Sequence, residues 1–188
     1  MSQSSGPRLD TLQEIAVAWL CGLFPESRNK LPVLHIGMGT GRLAEEMLCD
    51  GFYLMDAVEW SGPAVADAKR RSLADKTYKC SSRAFSLPVA DGVYDAVVSM
   101  EGFSGGSLPC GALSELVRVC KPGGIALIAV QQTHLHADGG NMDRLQSAMI
   151  DLQADSFWEL LVREIVPDFS DGVDKTAILY AFKICGRH

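Results

Sequence analysis

Three glycines at alternate positions, Gly37, Gly39 and Gly41, follow the apolar run Val33-Leu34-His35-Ile36 and precede a helical pattern that starts at Arg42. Alternating glycines let a backbone turn sharply and approach a ligand without Cβ clashes. The helix beyond presents its unpaired N–H groups to whatever sits there. The loop therefore reads as a cradle for a small-molecule cofactor. Its spacing departs from the dinucleotide fingerprint G-x-G-x-x-G, which needs a small residue where Arg42 stands and has its third glycine one place later. With no Tyr-x-x-x-Lys pair in the chain either, a nicotinamide-dependent oxidoreductase is disfavoured.

The next apolar strand, Leu54–Trp60, carries Glu59 near its end and is followed by Ser61-Gly62-Pro63. An acid at the tip of the second strand of a βαβ unit is placed to accept both ribose hydroxyls of a nucleoside. Glu101 directly follows the strand Tyr94–Met100 and is a candidate to bind an acceptor or take its leaving proton. His134 and His136 share one face of extended backbone. With no third ligand near them in sequence, they read as pocket residues, His134 being a second catalytic candidate, and no metal is expected. Asp95 begins its strand, away from the pocket end, and reads as structural. Phe157-Trp158 continues an apolar helical stripe and reads as core. Lys69-Arg70-Arg71 closes a predicted helix, where positive charge complements the helix dipole.

These residues need a scaffold, and the rest of the chain supplies one. Apolar positions Leu12, Ile15, Ala16, Trp19, Leu20 and Leu23 mark a first helix from Asp10, with Thr11 and Glu14 at capping-box spacing. Strands are predicted at Val33–Ile36, Leu54–Trp60, Thr77–Ser81, Tyr94–Met100 and Ile125–Val130. Helices are predicted at Thr40–Cys49, Pro63–Leu73 and Leu113–Cys120, the last stopped by Lys121-Pro122-Gly123-Gly124. A long helix is expected from Asn141 to about Leu160, then strands Val162–Val166 and Thr176–Ile184. Strand–helix alternation requires a mainly parallel sheet with helices on both faces, and two strands joined by a short loop pair antiparallel. The expected architecture is α/β: a doubly wound, mainly parallel sheet of about seven strands with a reversed C-terminal hairpin. Ligands bind such sheets beyond the carboxyl ends of the strands, at the switch point. That gathers Gly37–Gly41, Glu59, Ser81–Phe85, Ser99–Phe103 and Gln131–His136 around one pocket.

A chain of 188 residues with a net charge of −6 fits one domain, expected over residues 9–188 after a disordered stretch 1–8, and offers no basic surface for a polyanion. Nucleic acid is thus not expected as acceptor. The six cysteines are scattered without a C-x-x-C pair, and Cys21, Cys49, Cys120 and Cys185 lie in apolar contexts, a pattern of reduced, buried thiols. No apolar run approaches the roughly 18 residues that span a bilayer, and the polar start lacks a signal-peptide core. The expectation is a soluble cytoplasmic or nuclear protein, of open oligomeric state.

Val33–Gly41, Glu59, Leu87–Ser99 and Leu116–Gly124 together resemble the motifs of class I S-adenosylmethionine-dependent methyltransferases, over Leu9 to Ile184. Met100–Phe103 through Cys110–Leu113 and Phe157–Leu160 look most like the methyltransferase-like proteins of the Williams–Beuren chromosomal region. The resemblance implies a Rossmann-like methyltransferase fold with S-adenosyl-L-methionine as cofactor. The cofactor contacts it implies are His35, Gly37, Met38, Gly39, Gly41, Glu59, Trp60, Arg83, Ala84 and Ser99. It implies a small-molecule or protein methyl acceptor and no membrane. Three features depart from the family. His35 stands where the family usually has an acid that helps hold the ammonium end of the cofactor. Arg83 falls near an acidic adenine contact and, having only donors, cannot replace it. Few residues precede the first helix, where many relatives carry a segment that folds over the cofactor. These departures motivate the alternative of a catalytically silent binding or scaffold protein on the same fold.

Overall fold

A computed structural model describes residues 10–81, 86–103, 108–132, 143–167 and 176–186, the side chains of residues 10, 11 and 143 excepted. The disorder expected for residues 1–8 and the Thr11 side chain of the capping box lie outside this set. Helices α1 (Asp10–Leu23), α2 (Arg42–Cys49), α3 (Gly62–Arg70), α4 (Ala112–Val119) and α5 (Asp143–Ala154) alternate with seven strands. The strands are β1 (Val33–Ile36), β2 (Met55–Glu59), β3 (Lys76–Lys79), β4 (Tyr94–Ser99), β5 (Cys120–Gln131), β6 (Trp158–Val166) and β7 (Ala177–Ile184). They form one sheet in the order β3-β2-β1-β4-β5-β7-β6. Pairing is parallel from β3 through β5, and β7 runs antiparallel to both β5 and β6. The reversed terminal hairpin expected from the sequence is therefore present.

Strand alternation divides the core into two layers. Leu12, Ala16 and Leu20 of α1, with Leu43 and Met47 of α2, pack on Val33, Ala57, Val98 and Leu127. On the other face Leu113 and Leu116 of α4, with Leu145 and Met149 of α5, cover Ile36, Val97, Ile128 and Phe182. Coverage on both faces explains why β4 and the second half of β5 read as nearly continuous apolar runs.

Two elements differ from expectation. The long helix predicted to about Leu160 ends at Ala154, and Trp158–Val166 is strand. The chain reverses at Ser156, which takes a left-handed φ of 59°. Apolar spacing at Leu152, Phe157 and Leu160 suits either period, and pairing with the apolar strand β7 decides for the strand. Trp158 is then core, as expected, but through the sheet. It stacks on Phe182 with ring centroids 4.0 Å apart, and its indole N–H donates to the Met149 carbonyl at 3.0 Å. Lys121–Gly124, expected to precede the fifth strand, instead bulge out of it: Tyr94 pairs with Cys120, and Ala96 pairs next with Ile125. Asp95 is structural, its carboxylate accepting from Lys121 Nζ at 2.8 Å beside that bulge.

All six cysteines are free, and Cys80 and Cys120 are buried; Cys49, expected inside, is exposed. Burial pushes the Cys120 thiol up to about 12. No helix among the described residues is long and apolar enough to cross a membrane.

Candidate functional site

The strand order reverses direction at β1 and β4, where the first crossover leaves to one side and the second to the other. Beyond the carboxyl ends of these strands lie the glycine loop and the Glu101–Phe103 turn. Gly37 donates to the Val58 carbonyl at 2.9 Å, and Gly41 closes the turn by donating to Met38 O at 2.8 Å. Gly39 sits at φ 54° and Gly41 at φ 79°, left-handed conformations that disfavour any side chain. A Cβ on Gly37 would lie 2.9 Å from the Trp60 ring, and one on Gly39 would run into the Glu101 carboxylate. The loop is thus bare backbone walled by Trp60 and Glu101. Gly41 is also the N-cap of α2 and offers no capping side chain to the first turn of that helix.

Glu59, at the tip of β2, points at this loop. Its Oε1 accepts from the Met38 backbone N–H at 2.6 Å in a buried contact, and its other oxygen accepts no hydrogen bond among the described residues. Burial pushes the Glu59 carboxyl above its ordinary value; the Met38 N–H pulls it back, and the Glu101 charge raises it further. Desolvation raises Glu101 as well. Two carboxylates therefore converge on one stretch of glycine backbone.

His35 is enclosed on the α1–α2 side of the sheet, 1% exposed. Its Nδ1 has no partner among the described residues, and burial lowers its pKa to about 4, so the ring is neutral. Ser99 is fully buried at the end of β4; its Oγ lies against Gly102 and has no partner among the described residues. The structure brings together Gly37, Met38, Gly39, Gly41, Glu59, Trp60 and Glu101, with Ser99 and His35 just beneath. Arg83, Ala84, His134 and His136 lie outside the described residues. Among the described residues no group of His, Cys, Asp and Glu is arranged to hold a metal.

Sequence reading missed one residue of the loop. Arg71, expected to serve the α3 dipole, instead reaches back to the glycine turn. Its guanidinium donates to Thr40 O at 2.5 Å and to Glu45 Oε1 at 2.6 Å, and it touches Asp67 Oδ2 at 3.4 Å. It also packs where a Gly41 side chain would stand. The contact spans thirty-one positions of sequence, and no local pattern announces it.

The methyltransferase-domain family profile matches residues 34–128, half of the chain, and the chain belongs to that family. Methyltransferase-like protein 27 of Homo sapiens is 29% identical over 153 residues, covering 79% of this chain and 59% of that protein. Demethylmenaquinone methyltransferase of Beutenbergia cavernae is 35% identical over 97 residues, 52% of this chain and 39% of that protein. The chain thus spans less than two thirds of the length of these curated relatives. Among solved structures, N-methyltransferase NodS of Bradyrhizobium japonicum in complex with S-adenosyl-L-homocysteine superposes with a TM-score of 0.70 at 13% identity, over 96% of this chain and 89% of that one. The fold is Rossmann-like, of the class I S-adenosylmethionine-dependent methyltransferases, and S-adenosylmethionine is the cofactor of that family.

Proposed function

We propose that this chain is an S-adenosylmethionine-dependent methyltransferase acting on a small-molecule or protein acceptor, and that Glu59 and the glycine loop hold its methyl donor. The observation that carries the reading is the Glu59–Met38 hydrogen bond. It fixes a buried carboxylate at the tip of β2 and leaves the second oxygen to accept ribose hydroxyls. The residues fit the group: the second Glu59 oxygen has no partner among the described residues, and the α2 N-terminus, which has no side-chain cap, suits its carboxylate end. Trp60 and Ser99 border the same space, and the backbone at Arg83 and Ala84 is proposed for the adenine side. When bound, the cofactor supplies an electrophilic methyl group on a sulfonium, which becomes an uncharged thioether once the methyl leaves.

The protein's own contribution is alignment and exclusion of water. The left-handed glycines and the Arg71 clamp hold the cradle in one shape. A base is needed only where the attacking group must lose a proton in order to react, and His134 is the candidate for that task. Isothermal titration tests the reading. Saturable binding of S-adenosylmethionine and S-adenosylhomocysteine is expected, and no binding of either at millimolar concentration overturns it.

The catalytically silent reading is favoured by one observation: the neutral, enclosed His35 supplies no charge where the family resemblance expects an acid. Weak cofactor binding that is restored by His35→Asp together with Arg83→Asp is its expected signature. Tight binding by the native chain, unchanged on reversion, removes its basis.

A further inference from the structure

We propose that Glu101 reads the charge of the methyl donor, favouring the cationic sulfonium over the uncharged thioether product. The inference rests on the cofactor reading above and deepens it. It assigns to Glu101 a place on the donor's side of the site instead of the acceptor's.

The carboxylate occupies the space a Gly39 side chain would need: a Cβ there would be 2.6 Å from its Cδ and 2.7 Å from Oε1. Only a glycine at φ 54° permits this approach. Glu101 makes no hydrogen bond or ion pair among the described residues. Glu59 stands close enough for the two charges to feel each other. Arg42, at the start of α2, is ion-paired with Glu46, and a second described cation that reaches this loop is Arg71. It sits at Gly41 and is already engaged by Glu45, Asp67 and the Thr40 carbonyl. His35, beneath the loop, is neutral. Among the described residues, the Gly39 side of the cradle therefore carries negative charge without a partner, while the α2 N-terminus at its other end favours an anion. A ligand with a carboxylate at one end and a fixed cationic centre satisfies both. The sulfonium donor has that pattern; its thioether product keeps the carboxylate and loses the fixed cation. A carboxylate at Gly39 then binds donor more tightly than product and assists product release.

The test compares S-adenosylmethionine and S-adenosylhomocysteine by isothermal titration on the wild-type chain, Glu101→Gln and Glu101→Asp. Glu101→Gln is expected to weaken donor binding about tenfold, the scale of one partly screened charge pair. Product binding is expected to stay within about twofold, and Glu101→Asp to restore part of the donor preference. Equal weakening of both ligands, or no change in either, overturns the proposal while leaving the cofactor reading intact. A wild-type chain that binds neither ligand overturns the cofactor reading itself, and this inference with it.

Discussion

Replacing Glu59 separates what its carboxylate does for the fold from what it does for a cofactor. Its Oε1 accepts a buried 2.6 Å hydrogen bond from the Met38 N–H. Removing the acceptor with Glu59→Ala leaves that amide without a partner, at a cost of about 1–3 kcal/mol for a buried unsatisfied donor. Glu59→Gln keeps a carbonyl oxygen at the same reach and discards a charge that burial disfavours. It is expected to stay within about 1 kcal/mol of wild type. Cofactor affinity behaves otherwise, because a neutral amide replaces charge-assisted acceptance from two hydroxyls. At about 1.5–3 kcal/mol for bonds to a charged group, both variants lose at least tenfold in binding of S-adenosylmethionine. Urea denaturation gives the first quantity and isothermal titration the second. Cofactor at a hundred times its dissociation constant adds about 2.7 kcal/mol of stability to wild type, so a thermal shift that survives in Glu59→Gln is a third readout. If Glu59→Gln binds the cofactor as wild type does, the carboxylate serves only the loop, and the ribose role assigned to it is wrong.

Arg71→Ala should weaken cofactor binding several-fold with little change in the folded baseline. Arg71→Lys should rescue little of it, since a single ammonium cannot fork between Thr40 O and the Glu45 carboxylate; full rescue by lysine, measured by titration, contradicts the clamp. His35 makes stability depend on pH. Its folded pKa of about 4 lies below the ordinary 6.5, so between those values the unfolded chain binds a proton that the folded chain refuses. Stability is complete above about pH 6.5 and falls by about 3 kcal/mol as pH drops toward 4. The raised carboxyls of Glu59 and Glu101 act in the opposite sense. The measurement is therefore the difference between wild type and His35→Gln in urea melts at several pH values, and a pH-independent difference refutes the assignment.

How much of this was legible in the sequence follows from the range of the interactions involved. The parallel half of the sheet was readable because each strand carries its own apolar run and each helix its own period, with Pro63 and the glycines marking the turns. Trp158 was misassigned to a helix because its neighbourhood fits both periods, and its state is set by β7, whose partnership no local pattern reveals. The cradle followed the same division. Gly37, Gly39, Gly41 and Glu59 stood out because backbone freedom and an acid at a strand tip are local signals. The direction of Glu59 was not among them: its hydrogen bond to Met38 joins the tips of two strands and exists only once β1 and β2 are in register. Arg71 was harder still, and so was the contact of Glu101 with Gly39, although Glu101 itself was a candidate. An arginine after a helix and a glutamate after a strand are ordinary surface residues by composition, and Arg71 was assigned to a helix dipole. What turns them into walls of one loop is the absence of side chains at Gly41 and Gly39, which lets a guanidinium and a carboxylate close in from opposite ends. The glycines thus act twice, once by bending the backbone and once by admitting two charges of opposite sign. Substituting alanine at Gly39 would force the Glu101 carboxylate away as well as strain the turn, so the polarity of the cradle and its shape are set by the same missing atoms.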